Sequence, residues 1–257
     1  MYMQSNIVFM VNIVSEDMQQ SRSRPYQYSY NSWKKWCKRN NVELVLLTER
    51  IYDKTIMNPN WHKLFIFDLL KNSDIDYDQI LIVDSDTIVH PNCPNFFEMT
   101  DDKFVVVNND GCYDWVSRSV ETYSKFLFND HKLSTWDYFN SGFMIVNKTH
   151  KKIFSKVLEF YFTNKDKIIN IQKTFGVGTD QPVLNFFTDM QDVDMKRFPY
   201  EFNMQDMARK EILDEELTFT KIGWVYHFNA IPDNHDASKT LYWMKKTYEH
   251  LYKEELK

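Results

Sequence analysis

Between Ile80 and Val89 the chain reads Ile-Leu-Ile-Val-Asp-Ser-Asp-Thr-Ile-Val. Four apolar β-formers in a row, without polar alternation, predict a short strand covered on both faces, as in a parallel sheet flanked by helices. Two carboxylates follow, two residues apart. Unpaired beside a buried strand, they repel each other and are costly to desolvate. A divalent cation removes that cost, and hard oxygen ligands suit Mg²⁺ or Mn²⁺. The plainer reading is a strand ending in a solvated turn, with Asp84 capping the next segment. Taken alone, the triplet Asp84-Ser85-Asp86 is compatible with either.

Upstream, residues 7–11 and 42–47 are further apolar runs of strand length. Between them Pro25 opens a helix with Tyr26, Tyr30, Trp33 and Cys37 at helical spacing, closed by Asn40-Asn41. Asn58-Pro59-Asn60 leads into a second helix through Trp61, Leu64, Phe65 and Leu69. The first ninety residues thus read strand, helix, strand, helix, strand, which implies parallel pairing with right-handed crossovers. Such sheets bind ligands outside the carboxyl ends of their strands, where Asp84 and Asp86 arrive.

Downstream, residues 104–107, 143–146 and 224–228 read as strands, the second preceded by Asn140-Ser141-Gly142. Helices are expected at about 150–162, from Pro182 with Asp180 and Gln181 at its start, and at about 239–253. The apolar faces are Ile153, Phe154, Val157, Leu158 and Tyr161 in the first, and Leu241, Met244, Tyr248 and Leu251 in the last. With no repeat and no linker, the expectation is one α/β domain over 1–257. Its central sheet is mixed, mostly parallel and flanked by helices. Residues 1–90 are the regular alternating part and 91–257 the less regular one.

Composition excludes some functions. A net charge of −5 gives no global basic surface, so no nucleic-acid partner is expected. Cys37, Cys93 and Cys112 match no zinc or redox spacing, and their odd number points to a reducing, cytoplasmic setting. The N-terminal apolar run is a first strand, not a signal peptide, and no run approaches the ~18 apolar residues of a transmembrane helix. The aromatic excess, Phe 20 and Tyr 15, permits a homodimer interface.

Four segments resemble the GT-A glycosyltransferases, and within them the retaining family 8 that contains glycogenin and bacterial galactosyltransferases. They are Trp61-His62-Lys63-Leu64, Asp84-Ser85-Asp86-Thr87, Phe139-Asn140-Ser141-Gly142-Phe143-Met144 and Asp180-Gln181-Pro182-Val183-Leu184-Asn185. Tyr226-His227-Phe228 follows in the family's order, and the likeness spans roughly residues 6 to 240. The resemblance implies a GT-A, Rossmann-like fold with a nucleotide-binding half over about 1–90 and a donor-sugar and acceptor half over about 91–257, a nucleoside-diphosphate sugar as donor (a UDP-sugar before others), and a carbohydrate or glycoconjugate acceptor. It implies that Asp84, Asp86 and His227 hold Mn²⁺ or Mg²⁺, with Asp84 also reaching the ribose. Val11, Asn12, Ile13 and Ser85 would lie against the nucleotide and Lys63 against phosphate or sugar oxygens. Asn140, Asp180 and Gln181 would line the donor sugar, with one of the last two facing the anomeric carbon.

The chain departs from the family after His227, where Phe228-Asn229-Ala230-Ile231-Pro232 replaces the usual Gly and Lys-Pro. Lys239 is the candidate to supply the missing cation. If the reaction inverts instead, a general base is required, and Asp110, Asp114 and Asp137 are the candidates. Trp115, Tyr123 and Trp136, within 111–135 and just beyond, are candidates to stack on an acceptor. His62, His90, His131 and His235 read as surface or loop residues. Two rivals remain. A sugar-phosphate nucleotidyltransferase needs a Gly-rich basic loop after the first strand, but Asn12-Ile13-Val14-Ser15-Glu16-Asp17 has no Gly. A non-catalytic nucleotide-sugar or carbohydrate-binding module would keep the fold without turnover.

Overall fold

A computed structural model describes residues 5–13, 20–207, 213, 215–231 and 238–253. In chain order the elements are β1 (Ile7–Val11), α1 (Gln20–Asn40), β2 (Glu43–Leu47), α2 (Ile66–Asn72), β3 (Gln79–Val83), β4 (Thr87–Val89) and β5 (Phe104–Asn108). They continue with α3 (Tyr113–Leu127), β6 (Phe139–Asn147), α4 (Lys151–Phe175), α5 (Asp180–Met190), β7 (Met195–Phe198), β8 (Val225–His227) and α6 (Ser238–Leu251). A 3-10 segment, Pro59–Phe65, leads into α2.

Six strands form the central sheet in the order β2-β1-β3-β6-β5-β7. β1 pairs in parallel with β2 and β3, β7 pairs in parallel with β5, and β6 runs antiparallel to β3 and β5. The sheet is the mixed, mostly parallel one expected. Alternate residues of each strand feed opposite faces. Ile80 and Ile82 join one apolar cluster, with α4 and α5 residues such as Val157 and Leu184. Leu81 and Val83 join the other, with Trp33 and Trp36 of α1. Burial on both faces explains the unbroken apolar run of β3.

Several boundaries differ from the sequence reading. α1 begins at Gln20, before Pro25. The stretch read as a helix through Trp61 and Leu69 starts as a 3-10 turn. β6 begins at Phe139 and not at 143, so Asn140, Ser141 and Gly142 are strand residues. α3 replaces most of the expected 111–135 loop, burying Val116, Val120 and Tyr123 on one face. α4 continues to Phe175, because Ile168 and Ile171 resume the buried stripe after a polar stretch, and Gly176 ends it with φ 61°. Among the described residues no helix is long and apolar enough to cross a membrane.

A second, two-stranded sheet matters most for the site. β4 and β8 pair antiparallel, with Thr87 opposite His227. The Phe228 N–H donates to Asp86 O at 2.9 Å. That ladder brings His227 beside Asp86 across 141 positions of sequence.

Candidate active site

The acidic triplet leaves β3 at the sheet's carboxyl edge. The Asp84 N–H donates to Gly142 O at 3.1 Å, so β6 runs directly alongside. Thr87 Oγ1 donates to Asp84 O at 2.8 Å and accepts from Trp33 Nε1 at 2.9 Å, anchoring the turn to α1.

Asp84, Asp86 and His227 each present a ligand atom, and the three atoms lie within 4.8 Å of one another. His227 Nε2 stands 3.0 Å from Asp86 Oδ1 and 3.8 Å from Asp84 Oδ2. A β-carbon added at Gly142 would meet His227 Cε1 at 2.4 Å and Asp84 Oδ2 at 2.7 Å. Glycine there is what lets the imidazole and the carboxylate close on one point. Two carboxylates and an imidazole are a donor set suited to a divalent cation.

His227 Nδ1 lies 3.1 Å from Asn203 Oδ1, and Asn203 Nδ2 donates to Asn140 Oδ1 at 3.1 Å. Since the Asn203 amide nitrogen is turned to Asn140, its oxygen faces His227 and must accept. The Nδ1 of His227 therefore carries hydrogen and Nε2 points to the carboxylates, the orientation a metal-ligating histidine needs. Burial disfavours charge on His227, but Asp86 and Asp84 outweigh it and raise its pKa. Burial likewise works against the Asp86 anion, yet His227 pulls that carboxyl below its usual range. For Asp84 burial dominates and its pKa rises, despite Lys63 and His227. His227 and Asp86 thus each favour the other's charged form, and a cation bound at Nε2 would compete with the proton there.

Lys63 is the second hub. Its Nζ lies 3.0 Å from Asp84 Oδ1, 3.2 Å from Asp180 Oδ2 and 3.1 Å from Ser141 O. Burial opposes its charge, but Asp180 and Asp84 more than offset this and hold the ammonium above its ordinary pKa. Asp180 opens α5, where a carboxylate is favoured by the helix dipole. It also accepts from Ser141 Oγ at 3.0 Å and Thr179 Oγ1 at 2.7 Å. Gln181 Oε1 accepts from the Ser141 N–H at 3.0 Å. Asn185 exchanges two bonds with the Phe139 backbone, fixing α5 against β6.

Two cavities meet at Lys63, Asp84 and Asp86. One, of about 300 Å³, is lined by Val11, Ile13, Tyr26 and Ser85. The other, of about 430 Å³, is lined by Asn140, Asp180, Gln181 and His227. Most of the residues singled out by sequence therefore converge. Asn12 shows a different face: its N–H donates to Leu47 O at 2.9 Å, and its Oδ1 is buried without a partner. Lys239 is exposed in the first turn of α6 and lines neither cavity. Asp110, Asp114 and Asp137 are exposed and line neither. Tyr123 is fully buried, with its hydroxyl donating to Gly178 O at 2.8 Å, so it offers no face to an acceptor. His62 is a core residue, not a surface one: Nδ1 accepts from the Ile51 N–H at 3.1 Å. His235 lies outside the described residues.

Sequence reading missed Asn203, Asn60, Asn109 and Asp206. The last three line the larger cavity. None sits in a spaced pattern, and only the fold gathers them.

The same fold occurs in a solved glycosyltransferase. A glycosyltransferase involved in the glycosylation of the major capsid of PBCV-1 matches with a TM-score of 0.58 and 9% identity, over 94% of this chain and 98% of that one. Mouse xyloside xylosyltransferase 1, apo form, matches with a TM-score of 0.49 and 11% identity, over 89% and 100%. The glycosyltransferase GlyE of Streptococcus pneumoniae TIGR4 gives 0.46 and 13%, over 98% and 63%. No family profile matches the sequence, and no curated protein matches it. The chain has the GT-A glycosyltransferase fold, which the first of these superpositions establishes.

Proposed function

We propose that the chain is a metal-dependent glycosyltransferase that moves a hexose from a nucleoside-diphosphate sugar, first of all a UDP-sugar, to an acceptor hydroxyl with retention. The observation that carries this reading is the convergence of Asp84, Asp86 and His227 where the two cavities meet. The smaller cavity, at the ends of β1 and β3, suits base and ribose, against Val11, Ile13 and Ser85. The larger suits the sugar.

Asp84, Asp86 and His227 would hold Mn²⁺ or Mg²⁺. Bound there, the ion supplies Lewis-acid stabilisation of the charge that grows on the departing diphosphate. Positive charge grows on the sugar ring as that bond breaks. Asp180 and the Gln181 amide, fixed through Ser141 and Lys63, provide preorganised negative potential on that side. Asn140, locked by Gly142 and Asn203, orients the sugar hydroxyls. Lys63 has its bonds committed to Asp84, Asp180 and Ser141, so its first task is to keep two carboxylates at fixed separation.

The test is a thermal-shift screen of UDP, GDP, ADP and their sugars with Mn²⁺, Mg²⁺ or chelator, on wild type and Asp86→Ala. A ligand at a hundred times its Kd adds about 2.7 kcal/mol to the native state. One nucleotide should stabilise the wild type only with metal, and Asp86→Ala should abolish the effect. If no nucleotide shifts the wild type under any metal condition, the reading fails. Hydrolysis of the bound donor separates an enzyme from a binding module, which would release it intact.

A further inference from the structure

Tyr113 and Trp136 stand apart from the other aromatic side chains. Trp136 is 77% exposed and Tyr113 62%, the two highest values among the exposed large aromatics. Their rings face each other with centroids 5.8 Å apart at 36°. The exposure does not come from a loose backbone. Trp136 O accepts from Asn108 Nδ2 at 3.1 Å, and the Asp137 N–H donates to Ser134 O at 3.1 Å. The Asp137 carboxylate pairs with Arg197 at 3.3 Å, and Arg197 returns to Asn108 Oδ1 at 2.7 Å. The segment is tied down on both sides of a tryptophan whose ring faces water.

Neither ring lines the larger cavity, but each is held beside residues that do. Cys112 and Trp115, one and two residues from Tyr113, both line that cavity, as does Asn109, next to the Asn108 that holds Trp136. We propose that Tyr113 and Trp136 form a platform for the acceptor, and that the acceptor is a carbohydrate presenting the apolar face of a pyranose ring. This rests on the glycosyltransferase reading of the adjoining site. The C–H groups on one face of a pyranose carry partial positive charge and suit the negative face of an aromatic ring. The sugar's hydroxyls project sideways, where Asp137, Arg197 and Asn108 stand. A protein partner fits less well, since a stable protein interface needs about 800 Å² per side. Phe126, the next exposed apolar residue on α3, lies thirteen positions along, about 20 Å by helical rise.

The experiment is binding of the full chain to an array of immobilised mono- and oligosaccharides, with and without UDP and Mn²⁺. Wild type is compared with Trp136→Ala, Tyr113→Ala and Trp136→Phe. The expected result is binding to at least one pyranoside, weakened about tenfold by either alanine, a loss of about 1.4 kcal/mol. Trp136→Phe, which keeps an aromatic face, should stay within about threefold of wild type. Nucleotide-induced thermal shift, measured on the same samples, reports the donor site separately and should survive Trp136→Ala. Binding of no glycan by the wild type, or equal binding by wild type and Trp136→Ala, overturns the platform. A missing nucleotide shift instead counts against the function proposed above, and the arms without UDP still decide the platform.

Discussion

Asn203 shows how much one unremarked side chain can decide. It is fully buried, and its amide joins His227 to Asn140, whose Oδ1 also accepts from the Gly142 N–H at 2.9 Å. One amide therefore sets the tautomer of the histidine and ties it to the strand beside Asp84. Partners of this kind typically change metal affinity by about 10–100-fold when removed. Asn203→Ala is expected to weaken Mn²⁺ binding by that factor in titration calorimetry, and an unchanged affinity would refute the orienting role. Gly142→Ala tests the same point from the other side. Its methyl would crowd the His227 ring and the Asp84 carboxylate, so the protein should fold and yet lose Mn²⁺-dependent stabilisation. A full Mn²⁺ response in that variant would show that the two side chains need not converge as described.

Among the elements, α4 carries a titration. The 3-10 turn Lys148–His150 that leads into it carries a capping box, in which the Asn147 N–H donates to His150 Nδ1 at 3.0 Å. An imidazole that accepts there must be neutral, and burial lowers its pKa to about 4 from 6.5. Between those values the unfolded chain binds a proton that the folded chain refuses. The associated stability is complete above about pH 6.5 and is lost as pH falls toward 4, up to about 3 kcal/mol. His62 acts in the same sense, its pKa lowered by burial and then by Arg50. His150→Gln keeps an acceptor in the capping box without titrating. Urea midpoints at pH 7 and pH 4.5 should fall further in wild type than in the variant, and parallel falls would exclude His150. The elements also explain what could be read in advance. β1 and β3 were legible because burial on both faces leaves a continuous apolar run, whereas β2 is a half-buried edge strand, legible from its apolar residues despite Glu43. Asn140-Ser141-Gly142 was not legible as strand because its residues have low strand propensity, and it is held extended between β6 residues that pair with β5 and β3. The polar stretch from Thr163 to Lys167 hid the second half of α4 until Ile168 resumed the stripe. Asp84, Asp86 and Asp180 could be chosen from the sequence by motif, whereas Asn203 and Asp206 reach the site only through tertiary pairing.

At the scale of the whole molecule, Lys63 is where the two halves of the chain are joined. From the 3-10 segment before α2 it reaches Asp84 beyond β3, Ser141 in β6 and Asp180 at the head of α5. Its side chain is 5% exposed and that of Asp180 3%, while Asp84 at 37% still faces the cavity. Removing the cation strands one carboxylate in the interior and leaves a second without its partner. Breaking a buried pair from one side costs about 3–5 kcal/mol, because the remaining charge has no compensation. For a chain of this size each kcal/mol moves the midpoint by about 2–4 °C. Lys63→Met fills the same space without the charge and should unfold roughly 6–20 °C below wild type. The variant also leaves the acidic site more negative, so a divalent cation has more to neutralise. Saturating Mn²⁺ should therefore raise the midpoint of Lys63→Met by more than it raises that of wild type, as read by calorimetry with and without metal. An equal or smaller metal shift in the variant would mean that Lys63 and the cation act on separate charges, and that Asp84 does not link them.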